Sequence, residues 1–389
     1  MTAKVVPGAG FGQHGGRMNR APAGFVPPPY PYDRLDRFKP LADALPGGAV
    51  DLSIGTPCDP PPAAVVAALS SSGAERGYPA SIGSERFRNA AAAWVERRFD
   101  VVVAPAQLGA CVGTKEFVAT VPQYLRLRNP ERDTVLYPAV AYPTYEMGAI
   151  LGGCRPVAVP PDAAGRLDLA AIDPADAERA LVLWVNSPSN PTGALDDLGA
   201  AAAWGRAHGV PVFSDECYAE FTWADRPRTI LEHGNDGVVA VHSLSKRSNL
   251  AGVRVGFYAG DGDLVGYLQE VRKHVGLMVP GPAQYAAVVA LEDDAHVQEQ
   301  RERYRSRLER MARVLGAWSG RSIPMPAGGF YLWFDAGDGW EFAERLAGAG
   351  GALVSPGDFY GAGGAQNVRV AVVQPDDRLD LVARRLGVE

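Results

Sequence analysis

The sequence predicts an α/β fold, a large domain with a mainly parallel sheet between helices plus a smaller α+β domain. Three observations predict it. Short apolar runs alternate with Ala-, Leu- and Arg-rich helical stretches through the first two thirds of the chain. Those runs are mostly apolar at every position rather than at alternate ones. Beyond residue 318, strand-like and helical pieces mix in smaller units. A strand that is apolar on both faces is buried on both, as in a parallel sheet covered by helices.

Taken in order, residues 1–29 read as a flexible Gly- and Pro-rich arm. The arm holds a formal dinucleotide fingerprint, Gly10, Gly12 and Gly15, but Pro7 stands just before it and a Pro-rich run over 21–31 follows. No strand or helix frames it, so a cofactor role is not expected there. The arm has no continuous apolar stretch, so no signal peptide is expected. Helices are expected over 61–70, 85–98, 115–125, 145–151, 195–207 and 293–318. Strands are expected over 110–113, 134–137, 155–159, 181–186, 210–214, 238–243 and 255–259. The texture changes at VGLMVPGP (275–282). Residues 56–275 are therefore assigned to the large domain, and 30–55 with 276–389 to the small one.

A chain of 389 residues exceeds one ordinary compact domain, and 47% hydrophobic with 21% charged residues is the composition of a globular protein. The formal net charge of −6 argues against a nucleic-acid partner. No run approaches the roughly 18–20 apolar residues that span a bilayer, so no membrane association is expected. Cys58, Cys111, Cys154 and Cys217 lack CxxC spacing and read as reduced packing residues of a cytoplasmic protein. No metal site is expected, because His242 and His274 stand at no ligand spacing.

The five lysines, against 33 arginines, make a lysine in a motif informative. Arg cannot replace Lys where an amine must lose its proton and attack a carbonyl. Lys246 follows an apolar strand, with Ser243 and Ser245 before it and Arg254 eight residues on, between glycines. That pattern suits a phosphate cradle built round an amine. Asp215 ends a second apolar strand. It reads either as a helix cap or as a carboxylate that holds a protonated ring nitrogen, as pyridoxal phosphate (PLP) chemistry requires. Tyr218 lies three residues on. The run NSPSNPTG (186–193) reads as a turn or as an amide donor, Asn190, at the sheet's carboxyl edge. Gly113-Thr114-Lys115-Glu116 opens a helix whose free N–H groups would hold an anion, and Lys115 is the rival candidate for the amine.

Together GTKE, AYPTY (141–145), NSPSNPTG, SDECY (214–218), SLSKRSNLAGVRVG (243–256) and NVRVAV (367–372) resemble a fold-type I, class I/II PLP-dependent aminotransferase, from about residue 45 to the end. The phrases VDLSIGTPCDP, GYPASIG, VRKHVGLMVPGP and SPGDFYGAGGAQNVRVAV are most similar to the actinobacterial N-succinyldiaminopimelate aminotransferases. The arm, Ala194 and Val253 depart from that pattern. The resemblance implies a catalytic group of Lys246, Asp215 and Tyr142. Lys246 would be the Schiff-base lysine and the base, Asp215 the partner of the pyridine nitrogen, and Tyr142 the ring that stacks on the cofactor. It gives Asn190 and Tyr218 to the ring oxygen, and Thr114, Lys115 (through its N–H), Ser243, Ser245 and Arg254 to the phosphate. Tyr78 would reach the phosphate of a neighbouring subunit in a homodimer with shared sites. Arg369, aided by the Gly55 backbone, would clamp the substrate α-carboxylate.

The function so implied is amino transfer between glutamate and an oxo acid, N-succinyl-2-amino-6-oxopimelate being one candidate. The alternative is a PLP-dependent lyase or γ-replacement enzyme of specialised metabolism, acting on an amino acid such as S-adenosylmethionine. The regions near Tyr30, Tyr32 and Val279 are candidates for the side-chain pocket.

Overall fold

The computed structural model describes residues 24–388; most of the expected arm, with its glycine fingerprint, lies outside the described residues. A two-residue strand β1 (Val50–Asp51) precedes the strands of the large sheet. These are β2 (Leu108–Cys111), β3 (Thr134–Pro138), β4 (Arg155–Val159), β5 (Ala180–Asn186), β6 (Val212–Asp215), β7 (Val238–Ser243) and β8 (Gly256–Gly260). Their spatial order is β2-β8-β7-β6-β5-β3-β4. Strands β3 to β7 run parallel to their neighbours, while β8 is antiparallel to both β7 and β2. The expected mainly parallel α/β sheet is present, with β8 as the reversal that composition does not signal.

Double burial explains the unbroken apolar runs. Along β5, Leu183 and Val185 enter one helix-covered core, whereas Val182 and Trp184 enter the core on the opposite face. Along β7, Ala240 and Val241 divide in the same way. The edge strand β4 pairs only with β3, and its Arg155 and Ala158 are exposed. Helix Glu85–Phe99 is started by Ser84, whose Oγ accepts from Phe87 N at 3.2 Å. Its Phe87, Ala91, Trp94 and Val95 then fall on one buried stripe.

A second core gathers Leu35, Phe38 and Val50 from the N-terminal side with Leu308, Met311 and Leu332 from the C-terminal side. It is built on β9 (Tyr331–Asp335), β10 (Ala352–Leu353), β11 (Ser355–Pro356) and β12 (Asn367–Ala371), with β1 parallel to β10 and the order β11-β12-β9 antiparallel. Helix Gly281–Glu292 differs from the sequence grouping, because its Ala283, Ala287 and Leu291 enter the first core. Its small residues allow close approach: a Cβ on Gly281 would lie 2.5 Å from Ala74 O. Val279, expected near a substrate pocket, is fully buried in that same core. Among the described residues no helix is long and apolar enough to cross a membrane.

Beside the sheet, Glu216 Oε2 lies 3.3 Å from His242 Nε2 while Oε1 accepts from Ile230 N at 2.8 Å. Burial pushes Glu216 up to about 8, against the Ile230 N–H, and pushes His242 down to about 3. Between pH 6.5 and 8 the folded chain therefore keeps a proton on Glu216 that the unfolded chain has already lost; His242 is neutral when folded, and its half-protonation in the unfolded chain at pH 6.5 offsets only a small part of this. Stability falls as pH rises through this window, by about 2 kcal/mol from Glu216. Urea unfolding at pH 6.5 and 8.5 is expected to show this loss in the wild type and a smaller one in Glu216→Gln. Equal losses in the two proteins would refute it.

Candidate active site

Register brings the distant motifs to one edge. Asn186 is paired with Asp215 across β5 and β6, Asp215 with Val241 across β6 and β7, and Ser243 with Gly256 across β7 and β8. Cys111 in turn pairs with Gly256. The loops after β2, β5, β6 and β7 and the turn entering β8 thus open together at the carboxyl ends of the parallel strands, where such sheets bind ligands. They enclose a cavity of about 370 Å³, lined by Thr114, Lys115, Tyr142, Asn190, Asp215, Tyr218, Ser243, Ser245, Lys246 and Arg254. Ten of the expected site residues are therefore together.

One end of the cavity is built for an anion. Helix Thr114–Arg128 begins there behind Gly113, which makes no side-chain cap, so its first N–H groups are free to bind. Gly113 has φ 75°, and a Cβ there would lie 2.0 Å from an Arg254 terminal nitrogen, so only glycine lets that guanidinium sit over the turn. Arg254 NH1 donates to Ala251 O at 2.8 Å. The hydroxyls of Ser243 and Ser245 stand beside it, Ser243 Oγ accepting from Ser245 N at 3.1 Å. Glu116 holds the turn by accepting from Val112 N at 3.1 Å and from the buried Arg272 at 2.6 and 2.9 Å.

The other end holds Asp215. Tyr145 Oη donates to its Oδ2 at 2.9 Å and Cys217 N to its Oδ1 at 3.2 Å, yet burial still raises its carboxyl above the usual range. Asn186 steadies the loop, donating to Asp215 O at 2.8 Å and accepting from Asn190 N at 2.7 Å. Between the two ends, Lys246 Nζ donates to Gly55 O. Burial brings this amine down to about 8; Arg369 and Arg254 push the same way, against Cys217 and Asp215. Lys115 behaves oppositely. Burial lowers it, but the Tyr142 and Tyr30 hydroxyls leave it above its ordinary value, and its Nζ stands 3.4 Å from Tyr30 Oη.

Arg369 is almost fully buried behind Asn190, a residue of the cavity wall. It donates to Asn190 Oδ1 at 2.8 Å, to Tyr32 Oη at 3.2 Å and to Ser53 O, and it lies over the Tyr331 ring at 4.1 Å. Tyr218 Oη meets Tyr331 Oη at 2.8 Å. Among the described residues none of Lys246, Arg254 and Arg369 is within ion-pair distance of a carboxylate. Three buried or half-buried cations therefore face one acid, Asp215. A low-dielectric site with that surplus favours anions. A phosphate-bearing ring with a basic nitrogen at its far end fits both ends, which is the donor set PLP needs.

Of the thirteen expected residues, Arg369, Tyr78 and Gly55 do not line the cavity itself. Tyr78 is 98% exposed and touches none of these groups. Gly55 supplies its carbonyl to Lys246, and a Cβ there would lie 2.0 Å from Tyr331 Oη, so its glycine identity serves close packing. Sequence reading missed Tyr145, Tyr331 and Cys217, and it named Tyr32 for the side-chain pocket without its contact to Arg369. Cys217 is more than packing, since it lines the cavity with its Sγ 3.2 Å from Thr114 Oγ1, though burial pushes the thiol well up. Tyr145 was within AYPTY, but only the position of β6 shows which acid it meets. The four cysteines are unpaired. Among the described residues no cluster of His, Cys, Asp or Glu is arranged to hold a metal ion.

The family profile "Aminotransferase class I and II" matches residues 48–386. A probable aminotransferase of Mycobacterium tuberculosis is 41% identical over 97% of this chain and 91% of its own length. The 4-dedimethylamino-4-oxo-anhydrotetracycline transaminase OxyQ of Streptomyces rimosus is 42% identical over 92% of this chain and 99% of its own. The LL-diaminopimelate aminotransferase of Aquifex aeolicus is 34% identical over 93% and 96%. A solved structure of a probable N-succinyldiaminopimelate aminotransferase from Thermus thermophilus superposes with TM-score 0.80 at 31% identity, over 91% of this chain and 98% of that one. These relatives favour amino transfer over the lyase or replacement chemistry, and they do not single out the N-succinyl type. With a sheet edge that gathers an amine, an acid and an anion cradle, and with the family profile spanning nearly its whole length, this chain belongs to the class I and II aminotransferases and is a PLP-dependent aminotransferase.

Proposed function

We propose that the enzyme moves an amino group between glutamate and an oxo acid of the diaminopimelate type that carries a distal carboxylate, such as N-succinyl-2-amino-6-oxopimelate. The observation that carries this is the surplus of cations, which accepts a phosphate and two carboxylates. Bound in the cavity, PLP supplies an electron-withdrawing ring that acidifies the α-hydrogen of an amino acid attached to it. Thr114, the Lys115 N–H, Ser243, Ser245 and Arg254 hold the phosphate; Asn190 and Tyr218 bond the ring oxygen; Tyr142 covers the ring face. Asp215 keeps the ring nitrogen protonated. Lys246 Nζ would hold the cofactor and then, as a free amine, take the proton from the substrate Cα and deliver it to the cofactor's C4', on the far side of the substrate nitrogen. Arg369 holds the α-carboxylate as a bidentate partner. The exposed Tyr78 completes the phosphate site of a second copy, in a homodimer.

The Lys115 ammonium at the mouth would receive the distal carboxylate. Lys115→Met, which keeps the backbone N–H, is expected to raise KM for dicarboxylic oxo acids roughly tenfold, as the loss of one charge-assisted hydrogen bond does, while sparing pyruvate. A second reading rests on the paired rings of Tyr30 and Tyr32, 5.5 Å apart. Such an aromatic wall suits a flat polycyclic ketone of the kind named in the OxyQ relative. Steady-state rates with both acceptor classes separate the readings, and an unchanged KM in Lys115→Met would favour the polycycle. The primary test is a spectral titration of the purified enzyme with glutamate alongside an assay for 2-oxoglutarate. Conversion of bound PLP to the pyridoxamine form with equimolar oxo acid supports glutamate as donor; an unchanged spectrum overturns it.

A further inference from the structure

We propose that Arg247 and Glu220 form a buried clamp that sets where the Lys246 amine reaches, which makes both of them positioning residues for amino transfer. The inference rests on the reading of Lys246 as the cofactor-bearing amine.

Lys246 and Arg247 are neighbours on the four-residue helix Leu244–Arg247. Successive helical side chains diverge, so when Lys246 enters the cavity Arg247 is directed away from it, into the protein. A single helical turn has almost no stability of its own, so tertiary anchors decide its position. Arg247 is that anchor. It is 3% exposed, and its NH1 donates to Ala290 O at 2.7 Å and to Ser248 Oγ at 3.1 Å. Its Nε and NH2 make no hydrogen bond among the described residues, and face Glu220 Oε1 at 3.5 Å and Asp294 Oδ1 at 3.6 Å. Trp94 lies under the guanidinium, 5.5 Å from its ring centre.

Glu220 sits in the short helical turn Ala219–Phe221, directly after Tyr218 and five residues after Asp215. It too is buried. Its Oε1 accepts from Trp94 Nε1 at 3.1 Å, and its Oε2 accepts from Arg98 at 2.7 and 3.1 Å. One carboxylate thus ties the loop that carries the acid to the turn that carries the amine. Neither Arg247 nor Glu220 lines the cavity, so neither serves the chemistry directly. A buried ion pair adds little stability compared with apolar packing, whereas it fixes direction, and losing one partner leaves an uncompensated charge.

Three variants of the holoenzyme test the clamp. Arg247→Met and Glu220→Gln are each expected to lower kcat about ten- to hundredfold, the effect of a misplacement near 1 Å, with KM for glutamate little changed. Both should displace the pH at which the absorbance of the lysine-held cofactor titrates, and the double variant should be no worse than the poorer single one. Arg98→Met, which frees the opposite oxygen of Glu220, should lower stability without moving that titration. Where Arg247→Met does not fold, Arg247→Lys keeps the charge, loses the fork and carries the same expectation. Folded variants that retain the wild-type titration and kcat, or single effects that simply add, would overturn the clamp. Covalently held cofactor in Lys246→Ala would instead overturn the reading beneath it, so the two failures are distinct.

Discussion

Replacing Lys246 by Ala is expected to lower turnover by at least about 10⁴-fold, because in the proposed mechanism one side chain both holds the cofactor and moves the proton. Its amine is suited to that work by position. Burial and the cations Arg369 and Arg254 bring it to about 8, so about a tenth is the free base at pH 7, far more than an ordinary lysine supplies. Lys246→Arg should be as inactive as Lys246→Ala, since a guanidinium keeps its proton. Small primary amines added to Lys246→Ala are expected to restore part of the rate by entering the vacated volume. The variant should also lose the absorbance of the lysine-held cofactor. If that absorbance survives, Lys115 is the amine and the cavity has been read from the wrong end.

Asp215→Asn is expected to cost about 10²- to 10⁴-fold in kcat, the range that follows from removing one partner of a buried pair at about 3–5 kcal/mol. The reasoning is electrostatic. Burial alone raises this carboxyl, and the two hydrogen bonds from Tyr145 and Cys217 do not fully offset it. A cationic ring nitrogen placed against it favours the ionised acid, and the ionised acid in turn keeps that nitrogen protonated. The amide holds the same shape without the charge. Cofactor affinity should fall less than kcat, because the phosphate cradle is untouched. A variant with wild-type kcat would remove Asp215 from the mechanism.

Much of this was legible in the sequence because double burial and amine chemistry both restrict residue choice. Strand β5 carries no polar residue before its last position and β7 none before its last two, since either face meets a packed core. Lys246 is prominent because arginine supplies nearly all the other cations. The reversed direction of β8 was not legible, as an apolar run has no arrow. Nor was the seat of helix Gly281–Glu292, whose alanine-rich face would suit either core until the neighbouring helices are in place.

The sequence by itself determined which segments are buried strands and which side chains gather at their carboxyl ends, because a phosphate cradle and a reactive amine admit few residue types at strand ends. Tertiary structure alone decided the pairings between distant segments: Tyr145 with Asp215, Tyr32 and Asn190 with Arg369, and Glu220 with Arg247. A hydrogen bond between residues 70 or 337 positions apart leaves no local period or spacing. Only strand order and register make the two ends neighbours, and with them bring Lys246, Arg254 and Arg369 together around Asp215.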